Sequence, residues 1–167
     1  MFSNKSDNAQ FPNRKSPRAK WANYEEGKYF ITVCTKDMKE YLGDISDGVM
    51  SLSDVGNCLN NELANVSRHQ PYCIITQYVI MPNHFHMILM VEHSDQETKK
   101  KHCNTTVSQV INHIKGTVTR YAKSNGIEFK WKERFHDHII RNEKENKLIT
   151  EYIIGNVANW KLDCFFH

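Results

Sequence analysis

No two of the five cysteines stand in a Cys-x-x-Cys spacing, the arrangement of the common zinc and redox motifs. Their odd number, and the apolar runs around most of them, fit free thiols that behave as small buried hydrophobes rather than a disulfide framework. No secretory signal is recognised. No apolar run approaches the roughly 20 residues needed to span a bilayer. A soluble, cytoplasmic protein is expected. An excess of charge of one sign is lacking too: the net charge is only +3, with nine histidines uncounted. Lysines and arginines cluster rather than spread, a mild lean towards an acidic partner and no more.

What is present is the composition of one ordinary domain. The 167 residues are 40% hydrophobic, 11% aromatic and 25% charged, enough to bury a proper core. Residues 1–26 are polar and broken by Pro12 and Pro17. With Arg14, Lys15, Arg18, Lys20 and Trp21 they read as a flexible basic arm, either simply solvated or touching phosphates with Trp21 stacked on a base. Lys28 to Thr35 is β-branched and aromatic and predicts a first strand. A small hairpin follows over Tyr41 to Leu52, turning at Ser46-Asp47-Gly48.

Val55, Leu59, Leu63 and Val66 recur at helical spacing over 54–69, with Ser53 as cap and Pro71 beyond the end. Tyr72 to Ile80 and His84 to Glu92 read as two strands joined by a tight turn, hence antiparallel. Residues 93–104 form a polar, lysine-rich loop, where His93, His102 and Cys103 match no standard zinc-finger spacing. A helix over 105–124 carries the stripe Val107, Val110, Ile111, Ile114, Val118 and Tyr121, and Asn125-Gly126 ends it. A last core strand lies around Phe135 to Ile140. A final helix covers about Glu143 to Trp160, and Leu162 to His167 trail off. The expected class is α+β: a ferredoxin-like central antiparallel sheet with helices packed mainly on one face.

Within Met81-Pro82-Asn83-His84-Phe85-His86-Met87-Ile88-Leu89-Met90, strand alternation puts His84 and His86 on one side. Two imidazoles so placed at the mouth of a buried strand can close on one metal ion. The final helix offers Tyr152 and Asn156, four apart and therefore on one face. An asparagine carbonyl could complete the ligand set, with a tyrosine hydroxyl beside it. Imidazole plus amide oxygen suits Mg²⁺ or Mn²⁺, and ligand type alone leaves zinc open.

His84-Phe85-His86 after Met81-Pro82-Asn83, together with Tyr-x-x-x-Asn on a late helix, resembles the single-tyrosine transposases with a His-hydrophobic-His (HUH) motif. The resemblance is closest to the REP-associated branch and covers most of the chain. It implies a catalytic domain over 27–167, with His84, His86 and Asn156 as metal ligands and Tyr152 as nucleophile. It implies metal-assisted cleavage and rejoining of single-stranded, hairpin-forming DNA through a 5′-phosphotyrosine. Val157 stands where that family usually has proline, which bears on where the helix ends. Phe135-His136 replaces the paired tyrosines of many relatives. Both monomers and helix-exchanged homodimers occur on this fold.

Blander readings accompany each residue. Tyr152 could merely pack the helix onto the sheet, and Tyr121, continuing its apolar stripe, is expected in the core. Lys115, Trp131, Arg134, His138 and Arg141 are candidate DNA contacts or ordinary packing and solvated positions. His136 and His138 form a second His-x-His pair without the Met-Pro-Asn lead. The competing functions are a non-catalytic hairpin nucleic-acid-binding protein on the same fold and a metal-dependent hydrolase of small phosphoesters.

Overall fold

The computed structural model of the chain describes residues 27–92 and 106–166. The basic arm with Arg14, Lys15, Arg18 and Lys20, and the loop with His93, His102 and Cys103, lie outside the described residues. Strand β1 (Gly27–Cys34) is followed by the hairpin β2 (Gly43–Ser46) and β3 (Val49–Leu52). Helices α1 (Asp54–Ala64) and α2 (Val66–His69) lead to β4 (Cys73–Ile80) and β5 (His84–Val91). Helix α3 (Thr106–Ser124), β6 (His136–Ile140) and α4 (Glu143–Gly155) complete the chain, with a 3-10 turn at Trp160–Leu162. Among the described residues, no helix is long and apolar enough to cross a membrane.

The four long strands form an antiparallel sheet in the order β4-β5-β1-β6, the ferredoxin-like arrangement expected. The hairpin turns as its sequence demands: Asp47 and Gly48 both have positive φ, 53° and 75°, as a two-residue turn of the primed type requires. Ser53 caps α1, its side chain accepting from the Gly56 N–H at 3.0 Å. The predicted helix over 54–69 is broken at Asn65, whose N–H bonds back to Glu62 O rather than continuing the ladder.

Alternation along the strands divides the molecule into two cores. Tyr29, Ile31, Val33, Phe85, Met87, Leu89 and Val91 face α1 and α3, whose stripes Val55, Leu59, Leu63 and Val107, Val110, Ile111, Ile114, Val118 cover them. Across the sheet, Ile88 and Ile140 meet Ile149 and Ile153 of α4, with Phe30, Val79 and Tyr152 packed alongside. Helices α1, α2 and α3 therefore lie on one face, and α4 alone lies on the other. Tyr121 departs from the sequence expectation: it is 36% exposed, because the buried stripe runs from Val118 to Ala122 and leaves Tyr121 at its flank.

Gly56 is needed for contact rather than for conformation. A Cβ there would collide with the Leu42 carbonyl, which already accepts from the Ser53 N–H at 3.0 Å. Gly56→Ala is expected to lower stability by about 3 kcal/mol through this overpacking. Urea denaturation would show it as a lower midpoint at unchanged slope, and an unchanged midpoint would contradict it.

Candidate active site

The face of β5 turned towards α4 carries His84 and His86, 0% and 2% exposed. Neighbouring groups hold each ring in place. His84 Nδ1 lies 2.8 Å from Asn83 Oδ1, a pure acceptor, so Nδ1 donates and Nε2 is left with a lone pair. His86 Nδ1 lies 2.7 Å from Thr32 Oγ1 on β1, directly across the ladder. The two Nε2 atoms face each other at 3.1 Å. Phe30 stacks on His86 at 5.2 Å and 26°, which holds the second ring in plane.

Helix α4 supplies the other wall. Asn142 caps it by accepting from the Glu145 N–H at 2.9 Å, and Ile149 and Ile153 anchor it on the sheet. Tyr152 then points at the imidazoles, its Oη 3.3 Å from His86 Nε2. One turn on, Asn156 is 3% exposed, and its Oδ1 is buried without a hydrogen-bond partner. The helix does not run to Trp160. Asn156 caps it, its N–H returning to Ile153 O at 3.3 Å, and residues 156–159 reverse the chain.

That reversal corrects a second expectation. Residues 162–166 do not trail off but fold back over the histidines. Asp163 Oδ2 accepts from Asn156 Nδ2 at 3.2 Å and from Tyr152 Oη at 3.4 Å. The ring of Phe165 lies 4.6 Å from that of His84, and its carbonyl accepts from Asn83 Nδ2 at 2.8 Å. Asp163 groups with His84 and His86, each offering one ligand atom within 4.8 Å of the others. Asp163 was not singled out from sequence. Its only signal is being the sole acid after Glu151, set among Trp160, Leu162, Phe165 and Phe166.

The donor set fits a divalent cation. Two imidazole nitrogens 3.1 Å apart match the roughly 3.0 Å between adjacent ligands of an octahedral ion with bonds near 2.1 Å. The Asp163 carboxylate is a hard donor beside them, and the buried Asn156 oxygen has no hydrogen-bond partner of its own. Burial pushes the His84 imidazole down to about 4, against the opposing pull of Asp163. Burial, and then the His84 charge, push His86 well below the ordinary histidine range. Both rings are therefore neutral at pH 7. Burial, then the Asp163 charge, raise the Tyr152 phenol above its ordinary value, so the resting hydroxyl is protonated.

Stability should follow from these shifts. Both folded-state values lie below the unfolded histidine value of about 6.5, so between about pH 4 and 6.5 the unfolded chain binds more protons. Stability then rises with pH across that window and falls on acidification, by up to about 1.4 kcal/mol per pH unit for each imidazole. Urea midpoints of the metal-free protein between pH 7 and 4.5 should drop accordingly, and less steeply in His84→Gln/His86→Gln. Equal slopes in the two proteins would contradict this origin.

The candidate DNA contacts are placed unevenly. Lys115 Nζ donates to the carbonyls of Lys132 at 2.7 Å and Glu133 at 3.1 Å. Trp131 Nε1 donates to Lys115 O at 3.2 Å, and its ring meets Phe129 and Phe85 edge-on. Arg134 lines a groove of about 790 Å³ with Lys36, Lys130 and Lys132. Thr35, at its rim, donates to the carbonyl of Asn83 at 2.9 Å. His138 is 2.6 Å from Glu145, which also accepts from the Arg141 N–H at 2.7 Å. Arg141 itself is exposed.

No family model matches the chain. An uncharacterized protein of Haemophilus influenzae is 33% identical over 170 residues, covering 93% of this chain and 94% of that one. The chain belongs to that protein's family. Among solved structures, a REP-associated tyrosine transposase bound to a REP hairpin superposes with a TM-score of 0.61 at 23% identity. The match covers 86% of this chain and 74% of that one, and establishes a transposase-like fold for this family member.

Proposed function

We propose that the chain is a metal-dependent transposase that cleaves and rejoins single-stranded, hairpin-forming DNA through Tyr152. The observation that carries this is the position of Tyr152 Oη, 3.3 Å from His86 Nε2, beside a histidine pair preset as neutral ligands. The shared fold with a transposase solved on a DNA hairpin supports the substrate class. His84, His86 and Asn156, with Asp163, would hold Mg²⁺ or Mn²⁺, which when bound polarises the scissile phosphate and stabilises charge in the transition state.

The chain's own residues do the rest. Asn83 and Thr32 fix the ring orientations, and α4 presents the nucleophile. Tyr152 Oη attacks phosphorus, the P–O3′ bond breaks, and the freed 3′ oxygen leaves as a hydroxyl, balancing the phenolic proton. The 5′ phosphate stays on tyrosine, and the reverse step rejoins a strand. Because α4 packs on its own sheet, one chain assembles the whole constellation, and a homodimer is not required for it.

For DNA contact, the groove with Lys36, Lys130, Lys132 and Arg134 is preferred, with Arg141 and the arm residues Arg14, Lys15, Arg18 and Lys20 as further phosphate partners. Lys115 and Trp131 serve that surface indirectly, by holding the Trp131–Arg134 segment in place. His138 orients Glu145 instead.

The test is a hairpin oligonucleotide labelled at its 3′ end, incubated with protein and Mn²⁺, then resolved under denaturing conditions. A label covalently attached to protein, with an extendable 3′ hydroxyl on the released fragment, is expected. Salt-sensitive binding without an adduct under any ion would establish the hairpin-binding protein instead. Cleavage with no protein-linked product would establish a hydrolase.

A further inference from the structure

On the helical side of the sheet, away from His84 and His86, three more donors converge from three separate elements. Glu62 sits in the last turn of α1, His69 ends α2, and His113 lies midway along α3. We propose that Glu62, His69 and His113 form a second metal site, for Zn²⁺, that ties the three helices together. Each offers one ligand atom, and those atoms lie within 4.8 Å of one another.

The state of His113 is the strongest indication. Its Nε2 is buried and without a hydrogen-bond partner, a condition few buried polar atoms tolerate. The Glu62 carboxylate faces it at 3.5 Å, too long for a hydrogen bond. That separation is close to the roughly 3.3 Å between two ligands of a tetrahedral ion with bonds near 2.0–2.1 Å. The His69 ring lies beside it, centroid to centroid 4.5 Å and tilted by 37°. A simple Glu62–His113 ion pair would leave the approach of His69 without a cause.

The chemistry of the set favours zinc. Two neutral imidazoles and a carboxylate are borderline ligands of the kind zinc takes, whereas Mg²⁺ and Ca²⁺ call for oxygen. No fourth His, Cys, Asp or Glu joins the group among the described residues, so water completes the tetrahedron. The break at Asn65 is what makes the geometry available. On a continuous helix Glu62 and His69 would share a face but stand about 10 Å apart along the axis, whereas with the break their ligand atoms lie within 4.8 Å. This site stands whether or not the histidine pair across the sheet supports DNA cleavage.

The full chain carrying His84→Ala and His86→Ala, stripped of metal, would be titrated with Zn²⁺ against a chromophoric chelator. One equivalent should bind and raise the melting temperature. Adding His69→Gln, an exposed position, should weaken binding at least tenfold and abolish that rise while leaving the metal-free melting temperature unchanged. If the double variant does not fold, the otherwise unaltered chain should bind one equivalent more than the chain carrying His69→Gln. Failure to bind zinc stoichiometrically, or binding indifferent to both His69→Gln and Glu62→Gln, would overturn the site.

Discussion

Tyr152→Phe is expected to reduce covalent DNA attachment by at least about 10³-fold, about 4 kcal/mol of transition-state stabilisation, while the protein stays folded and binds DNA as before. The substitution removes one oxygen and leaves the ring, which packs edge-on against Phe30 at 6.1 Å and beside His86 at 5.3 Å. The lost hydrogen bonds, at 3.3 and 3.4 Å, are long, so the stability change should stay below about 1 kcal/mol. Tyr121 is the control. It lies on α3, on the other side of the sheet, and Tyr121→Phe should leave attachment intact. A Tyr152→Phe protein that still forms the adduct would remove Tyr152 from the chemistry.

Asp163→Asn and Phe165→Ala should move activity in opposite directions, although the residues are two apart in one tail. The aspartate joins the histidine pair and accepts from both Tyr152 and Asn156, so its amide should bind Mn²⁺ about 10- to 100-fold more weakly and lose activity at limiting metal. Excess metal should restore part of it. Phe165 instead covers His84 with its ring and contributes no ligand atom. With both histidines buried beneath this segment, Phe165→Ala should expose them and raise the rate of adduct formation several-fold at a modest loss of thermal stability. Initial rates across a Mn²⁺ titration separate the two effects. Parallel losses with equal falls in melting temperature would reduce the tail to a structural cap.

The histidine pair and the tyrosine–asparagine turn were legible because each depends on a local period. Alternation along a strand puts His84 and His86 on one side, and a helical repeat of four aligns Tyr152 with Asn156. The ferredoxin-like sheet was legible for the same reason, since its strands carry unmistakable apolar runs and its hairpin an Asp-Gly turn. Asp163 was not, because its role requires the chain to reverse after Asn156. Val157 and Trp160 continue the helical spacing and conceal that stop. Lys115 sits opposite the apolar stripe of α3 and so reads as solvated. The Trp131–Arg134 segment crosses above it, however, and the Lys132 and Glu133 carbonyls capture its ammonium. Glu62, His69 and His113 come from three elements whose mutual placement no local period encodes.

The most direct measurement is to locate the DNA on the protein. The trapped adduct, digested with nuclease and trypsin, would be mapped by tandem mass spectrometry. A nucleotide phosphate on Tyr152, within the peptide Leu148 to Lys161, is the expected result. Phosphate on Tyr121 or any other side chain, or an adduct formed equally well by His84→Ala/His86→Ala, would contradict the proposed chemistry.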